Sequence, residues 1–217
     1  MSRKTTITAK AAILISAAML TGCAFVPDTV RPTYEPATNV TKIPGASTVT
    51  LAITVKNDKR NRSVVSVTKD SYGISMANVY MHVRKDFKRA FVTAMKSRGF
   101  QTQKNSVATV VVVVHKFYFT PHPGLWSGSQ TGNANISVKV EEDGKQIYNR
   151  SFNYNYEKRD LSGLFTQYRE ATAKNMLSHI VSKVFANQGF IDALFRAAGK
   201  TPPADLGVTV PASVSAH

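Results

Sequence analysis

Residues 110–114 are five consecutive valines. β-Branched side chains lose rotamer freedom in a helix and pack well on a pleated surface. An unbroken apolar run, unlike an alternating one, suits a strand covered on both faces. The run therefore predicts a central strand over residues 108–120, and the rest of the chain has to be arranged around it.

The neighbouring segments supply partners. Residues 48–56 alternate, with Val49, Leu51, Ile53 and Val55 facing one way and Thr48, Thr50, Thr54 and Lys56 the other, as in a half-buried strand. A polar break at 57–62 separates it from weaker extended segments at 64–68 and 72–76. Residues 133–142 alternate again, with Ala134, Ile136, Val138 and Val140 inward. Glu142-Asp143-Gly144-Lys145 reads as a tight hairpin turn, because Asp-Gly accepts the positive φ angles such a turn needs. Residues 146–156 return with Tyr148, Phe152, Tyr154 and Tyr156 on one face. That aromatic stripe suits a packed sheet face more than a sugar-stacking platform.

Helical spacing appears twice at length. Val83, Phe87, Ala90, Phe91 and Ala94 predict a helix over 79–98, with Asn78 as N-cap and Gly99 as C′ residue before apolar Phe100. Ala173, Met176, Leu177, Ile180, Val181, Val184 and Phe185 predict a second over 166–187, and a short helix follows over 190–197. The order predicts an α+β fold, a mostly antiparallel sheet with the two long helices packed on one face.

The N-terminus has a separate logic. Arg3, Lys4 and Lys10 precede an uncharged, mostly apolar stretch over 11–20. The stretch is too short to span a bilayer, which takes about twenty residues, and it matches the h-region of an export signal. It ends in Leu20-Thr21-Gly22-Cys23, which resembles a bacterial lipobox. That resemblance implies cleavage between Gly22 and Cys23, a diacylglyceryl group and palmitate-type acylation on Cys23, and attachment to a membrane without spanning it. Ala24 follows, where an Asp commonly retains lipoproteins at the inner membrane, so the expected location is the cell outer membrane, facing the periplasm. Cys23 is the only cysteine, so no disulfide within the chain supports the fold.

Four regions follow: a signal peptide (1–22), a lipid-anchored flexible tether (23–47) with Pro27, Pro32, Pro36 and Pro44, a single α+β domain (48–198) and a disordered tail (199–217). The formal charge is +15, and it falls to +12 without the signal, since three cations and no acids leave. A balance this basic often signals nucleic acid, but export argues against it. The expected partners are the membrane, through the anchor, and an envelope protein or anionic polymer such as lipopolysaccharide or peptidoglycan.

Lipobox and tether, a strand ending in Asp58-x-Arg60, the Val-Thr-Lys-Asp segment at 67–70, a helix closing on Met-Lys-Ser-Arg-Gly-Phe at 95–100, a β-meander and a last helix together resemble the YajG-type lipoprotein family, over about residues 12–196. The loop at 121–126 and the long tail depart from that pattern. The resemblance implies a small, lipid-anchored, periplasm-facing domain and brings no catalytic residues with it.

The residues alone suggest little chemistry. His82, His115, His122, His179 and His217 form no metal-binding spacing, and Ser127 stands one place late for a nucleophile elbow. No catalytic residue, metal or cofactor is expected; the chain reads as a non-catalytic accessory or binding module, with an envelope enzyme as a remote alternative. Glu141-Glu142-Asp143 reads as a solvated turn, Asp58 and Arg60 as a turn pair, and His115 as a strand-end residue. Trp126 is either an exposed contact tip or a lid folded on the sheet edge. Lys85, Arg89 and Lys96 share one side of the first long helix, either as a solvated surface or as an anion-binding face, with Asp86 at its margin.

Overall fold

The computed structural model describes residues 27–37, 40–70, 72–124, 126–161 and 165–203. The signal segment, Cys23 and most of the expected tail lie outside the described residues. In chain order the elements are β1 (Asp28–Val30), a 3-10 turn (Ala46–Thr48), β2 (Thr50–Asn57), β3 (Val64–Lys69), β4 (Ser75–Met81), α1 (Val83–Ser97), β5 (Gln101–Thr102), β6 (Ala108–His122), β7 (Gly128–Glu142), β8 (Lys145–Leu161), a 3-10 turn (Phe165–Tyr168), α2 (Arg169–Phe185) and α3 (Gln188–Ala197).

The valine strand, β6, is central in a five-stranded sheet ordered β5-β2-β6-β7-β8. β2 runs parallel to β5 and β6, whereas the long β6–β7–β8 meander is antiparallel. A second sheet, β1-β4-β3, pairs β3 with β4 antiparallel and β1 with β4 parallel. The class is α+β, as expected. The meander turns through Asp143 (φ 48°) and Gly144 (φ 79°), the two positive angles that Asp-Gly predicted.

β6 carries a feature the alternation does not foretell. Val110, Val112 and Val114 point into the core, and so do Phe117 and Phe119. The parity changes because the ladder to β7 slips between Val114 and Lys116. His115 and Lys116 are both exposed there, two residues opposing one, as in a β-bulge. The bulge keeps both halves of the strand facing the same helical layer.

The helices cover that face and share one core with it. Phe87 of α1 meets Phe117 edge-on at 5.4 Å, Phe91 lies 6.0 Å from Phe185 of α2, and Phe185 meets Phe190 of α3 at 5.4 Å. The aromatic stripe of β8 is packed here. Tyr148 donates to Asn187 Oδ1 (2.9 Å), Tyr154 stacks on His179 (centroids 4.8 Å, 5° between planes), and Tyr156 lies 3.4 Å from the Thr172 hydroxyl.

Three expectations need correction. α1 begins at Val83 rather than residue 79, because 79–81 is the last part of β4, paired with β1 on one side and β3 on the other. His82, not Asn78, is the N-cap, and its side chain makes no capping bond. The far end of α1 follows expectation: Gly99 takes φ 96°, and the Phe100 N–H returns to Met95 O at 3.1 Å. The loop around Trp126 is shorter than expected, since β6 continues to His122 and β7 starts at Gly128.

The third correction concerns the tether. Its described part is bound to the domain. β1 pairs with β4, and Val30, Tyr34, Ile43 and Ala46 are buried among the prolines. Polar contacts pin the backbone: the Arg31 N–H donates to Glu170 Oε2 (2.9 Å), the Arg89 guanidinium to Pro32 O (3.2 Å), and Ile43 N–H to Arg98 O (3.0 Å). Lys174 and Glu35 form an ion pair at 2.7 Å. Prolines prevent this segment from joining a central strand, but its spaced apolar side chains still find the core.

Two ends of the molecule can be told apart. β6 spans about 50 Å at roughly 3.3 Å per residue. At one end lie the β6–β7 connection, the close of β8 and the start of α2: Leu161 pairs with Gly128, and Thr172 Oγ1 donates to Gln130 Oε1. The Arg169 guanidinium, at the start of α2, donates to Thr68 near the end of β3 and to Asp28 Oδ2 (3.4 Å). The β3–β4 turn therefore belongs to this same hairpin end. The β7–β8 turn, β5 and the close of α1 and α3 form the opposite end.

Candidate functional site

The hairpin end exposes large apolar side chains. Asp70 organises the β3–β4 turn: its Oδ1 accepts from Tyr72 N–H (3.0 Å) and Ile74 N–H (2.8 Å), its own N–H donates to Ile74 O (3.0 Å), and Gly73 supplies φ 84°. The carboxylate is satisfied by backbone donors, and the side chains of the two donor residues are exposed. Tyr72 is 90% exposed, Ile74 61% and Met76 46%. Trp126, in the β6–β7 connection, is 90% exposed, so it is a tip and not a lid.

The opposite end holds an open groove of about 810 Å³. Thr48, Thr50, Gln103, Asn105 and Ser106 line it with hydroxyl and amide groups, Glu142 and Asp143 with carboxylates, and Val107, Ala108, Ala197 and Ala198 with apolar surface. Two bonds shape its wall: Ser106 Oγ donates to Thr50 O (2.9 Å), and the Asp143 N–H donates to Val107 O (3.0 Å). Such a lining can offer an extended chain both hydrogen bonds and apolar contact. The Glu141-Glu142-Asp143 run closes β7 and enters the hairpin turn, as expected, with Glu142 and Asp143 exposed.

On α1, Lys85, Arg89 and Lys96 are all exposed, but Arg89 is committed. Its guanidinium bonds Asp86 Oδ1 (2.8 Å) as well as Pro32 O. Asp86 is only 2% exposed and lies beneath this face, not at its margin, and its Oδ2 has no partner among the described residues. Burial pushes the Asp86 carboxyl up, opposed by the positive charge of Arg89 and, less, of His82 and Lys85. The three cations are thus not an open anion cradle: one of them clamps the N-terminal segment. Gly22 and Cys23 lie outside the described residues.

His115 sits on the bulge, with Nε2 2.8 Å from Ser137 Oγ and Nδ1 3.5 Å from Asp58 Oδ2. Arg60 is exposed. Between them, Lys59 is buried, which sequence reasoning missed: within the polar run Asn57-Asp58-Lys59-Arg60-Asn61-Arg62 nothing distinguishes it. Its Nζ donates to Val64 O at 2.7 Å, and burial pushes the amine down to about 8. Among the described residues Arg169 is the other buried cation without a sequence signal. Among the described residues no three His, Cys, Asp or Glu side chains group to hold a metal, and no helix is long and apolar enough to cross a membrane.

A family model described as "Uncharacterized lipoprotein" matches residues 36–194. No curated protein matches the chain. Among solved structures, a Xanthomonas campestris protein is 16% identical, with 72% of this chain and 92% of that one covered at a TM-score of 0.48. A minor lipoprotein from Acinetobacter baumannii is 11% identical, covering 70% and 95% at 0.39. The rare lipoprotein B from Shewanella oneidensis is 9% identical, covering 62% and 90% at 0.36. With the family model spanning most of its length, the chain belongs to the YajG family of uncharacterized bacterial lipoproteins, the family its sequence resembles.

Proposed function

We propose that the protein is held in the outer membrane by a lipidated Cys23, faces the periplasm, and serves there as a non-catalytic accessory or binding module whose groove end meets an envelope partner. The polarity of the fold supports this reading above all. β1 is parallel to β4, so its N-terminal end points toward the hairpin end, while the groove opens at the other end of a sheet about 50 Å long. An anchor at one end and an open groove of mixed polar and apolar lining at the other suit a module presented to the periplasm.

Labelled palmitate and sucrose-gradient fractionation test the anchor. The wild type should carry label and sediment with the outer membrane. Cys23→Ser should persist as a larger, unlabelled precursor; equal labelling of both would refute it. For the groove, a photo-crosslinking residue at Asn105 should yield a discrete adduct in intact cells, and one at exposed Lys88 should not. Identical patterns at both sites would refute the groove as the partner surface.

The exposed cations Arg84, Lys85, Lys88 and Lys96 on α1 favour a second reading, binding of an anionic envelope component. That binding should sediment the protein with lipopolysaccharide and weaken steeply with salt. Lys85→Glu with Lys96→Glu should abolish it in a protein still folded by circular dichroism.

A further inference from the structure

We propose that the hairpin end is a membrane-contact surface: Tyr72, Ile74, Met76 and Trp126 enter the headgroup–acyl boundary of the same bilayer that holds Cys23. This inference rests on the lipid anchor proposed above and adds to it a second, non-covalent attachment.

Covalent reach fixes the height of the domain. Asp28 is paired with Val79 of β4, and β1 runs parallel to β4, with its N-terminal end toward the β3–β4 turn. Ser75 opens β4 four residues nearer that turn, about 13 Å at roughly 3.3 Å per residue. Cys23 precedes Asp28 by five residues, which even fully extended span at most about 18 Å. The acyl chains on Cys23 therefore start no farther along this axis than about the level of the turn. A bilayer holding them cannot stand off from the hairpin end; the two surfaces meet. Had the whole of 24–47 been free, a gap of tens of ångströms would have been open to it.

The chemistry of the tip suits that meeting. Scattered exposed apolar residues are ordinary on a soluble surface. Here four large ones share one end, and two are an aromatic pair of the type that settles at membrane interfaces, with an apolar ring and a polar edge. The turn is built to hold them out, because Asp70 ties the backbone on both sides of Gly73. Lys158 is exposed on the adjoining end of β8, and half-buried Lys69 closes β3. Both can meet lipid phosphate. A lipid chain supplemented by interfacial side chains or cations anchors more firmly than the chain alone.

Trp126 is the only tryptophan in the sequence, so it reports on itself. The mature, lipidated protein is reconstituted into phosphatidylethanolamine–phosphatidylglycerol vesicles, with or without dibrominated acyl chains. Mass spectrometry first establishes the lipid on Cys23. Bromolipid should then quench Trp126 strongly, and acrylamide should reach it several-fold less than it reaches free tryptophan. Tyr72→Ser with Ile74→Ser, both exposed positions, should reduce the bromine quenching and raise acrylamide access while the circular dichroism stays unchanged. Lipidated, vesicle-bound protein with an unquenched Trp126 would overturn the contact and leave the anchor standing. A Cys23 without lipid would overturn the anchor and, with it, this inference.

Discussion

Replacing Lys59 by methionine removes a buried ammonium and keeps an unbranched apolar stem. Lys59 is 7% exposed, and its one bond from Nζ to the described residues goes to Val64 O. Burial lowers the amine from 10.5 to about 8. A gap of about 2.5 pH units at about 1.4 kcal/mol each puts the cost of burying the charge at about 3.5 kcal/mol at most. Methionine cannot donate to Val64 O, which returns about 1 kcal/mol of loss. At pH 7 the variant should therefore be more stable than the wild type by about 1–2 kcal/mol.

The pH dependence separates this account from simple repacking. Below pH 8 the amine is charged in both states, and the folded protein carries the full penalty. Between pH 8 and 10.5 the folded protein releases its proton while the unfolded chain keeps it, so stability rises with pH. Above 10.5 both forms are neutral, and the penalty is gone. By pH 9.5 the wild type should gain about 2 kcal/mol relative to Lys59→Met. Urea unfolding followed by circular dichroism at pH 7, 8, 9 and 9.5 measures the difference, and comparing the two proteins cancels the other titrating groups. A stability difference that stays constant across that range would refute the burial argument, as would a variant less stable at pH 7.

Three further substitutions probe the contacts that join the layers. Arg89→Ala strands the buried Asp86 carboxylate and frees Pro32 O; it should cost about 1–3 kcal/mol and speed amide exchange across residues 28–35 more than in β7. Asn187 caps α3 by accepting from Phe190 N–H (3.0 Å) and also accepts from Tyr148, so Asn187→Ala should cost about 1–2 kcal/mol in thermal or urea unfolding. A Cβ at Gly132 would lie 2.7 Å from Met176 Sδ and 3.2 Å from Phe119 Cβ. Gly132→Val should therefore destabilise by about 1–3 kcal/mol, and Met176→Ala should relieve part of that in the double variant.

What could be read from the sequence was governed by local physics. Five valines specify a buried strand wherever they fall, Asp143-Gly144 carries its turn angles with it, and Gly99 before Phe100 ends a helix by backbone geometry alone. Other features depend on partners distant in sequence. Val79-Tyr80-Met81 fits a helix period as well as a strand, and only β1 and β3 on either side decide for the strand. β1 itself is three residues beside prolines, with no periodicity to detect. The bulge at His115 and Lys116 is visible once Phe117 and Phe119 are known to face inward, but the valine run hides the parity that would expose it. The candidate surfaces divide the same way. The solvated hairpin acids and the packed aromatic stripe were legible, whereas Asp86 and Lys59 look like surface charges until the segments covering them are in place. Arg89 belongs to an exposed cationic row by spacing, and its clamp on Pro32 depends on a backbone more than fifty residues earlier.

The direction of β1 also decides how the molecule answers a mechanical load. Tension applied from the N-terminal side, toward the hairpin end, runs along the axis of β1 and β4. Parallel pairing then loads the β1–β4 hydrogen bonds together, in shear, instead of peeling them one after another. Behind them stand the Arg31–Glu170, Arg89–Pro32 and Lys174–Glu35 contacts, spaced along the next residues so that each takes up strain only as the one before it yields. A short strand that adds little to the sheet at rest thus becomes the first mooring line when the chain is pulled.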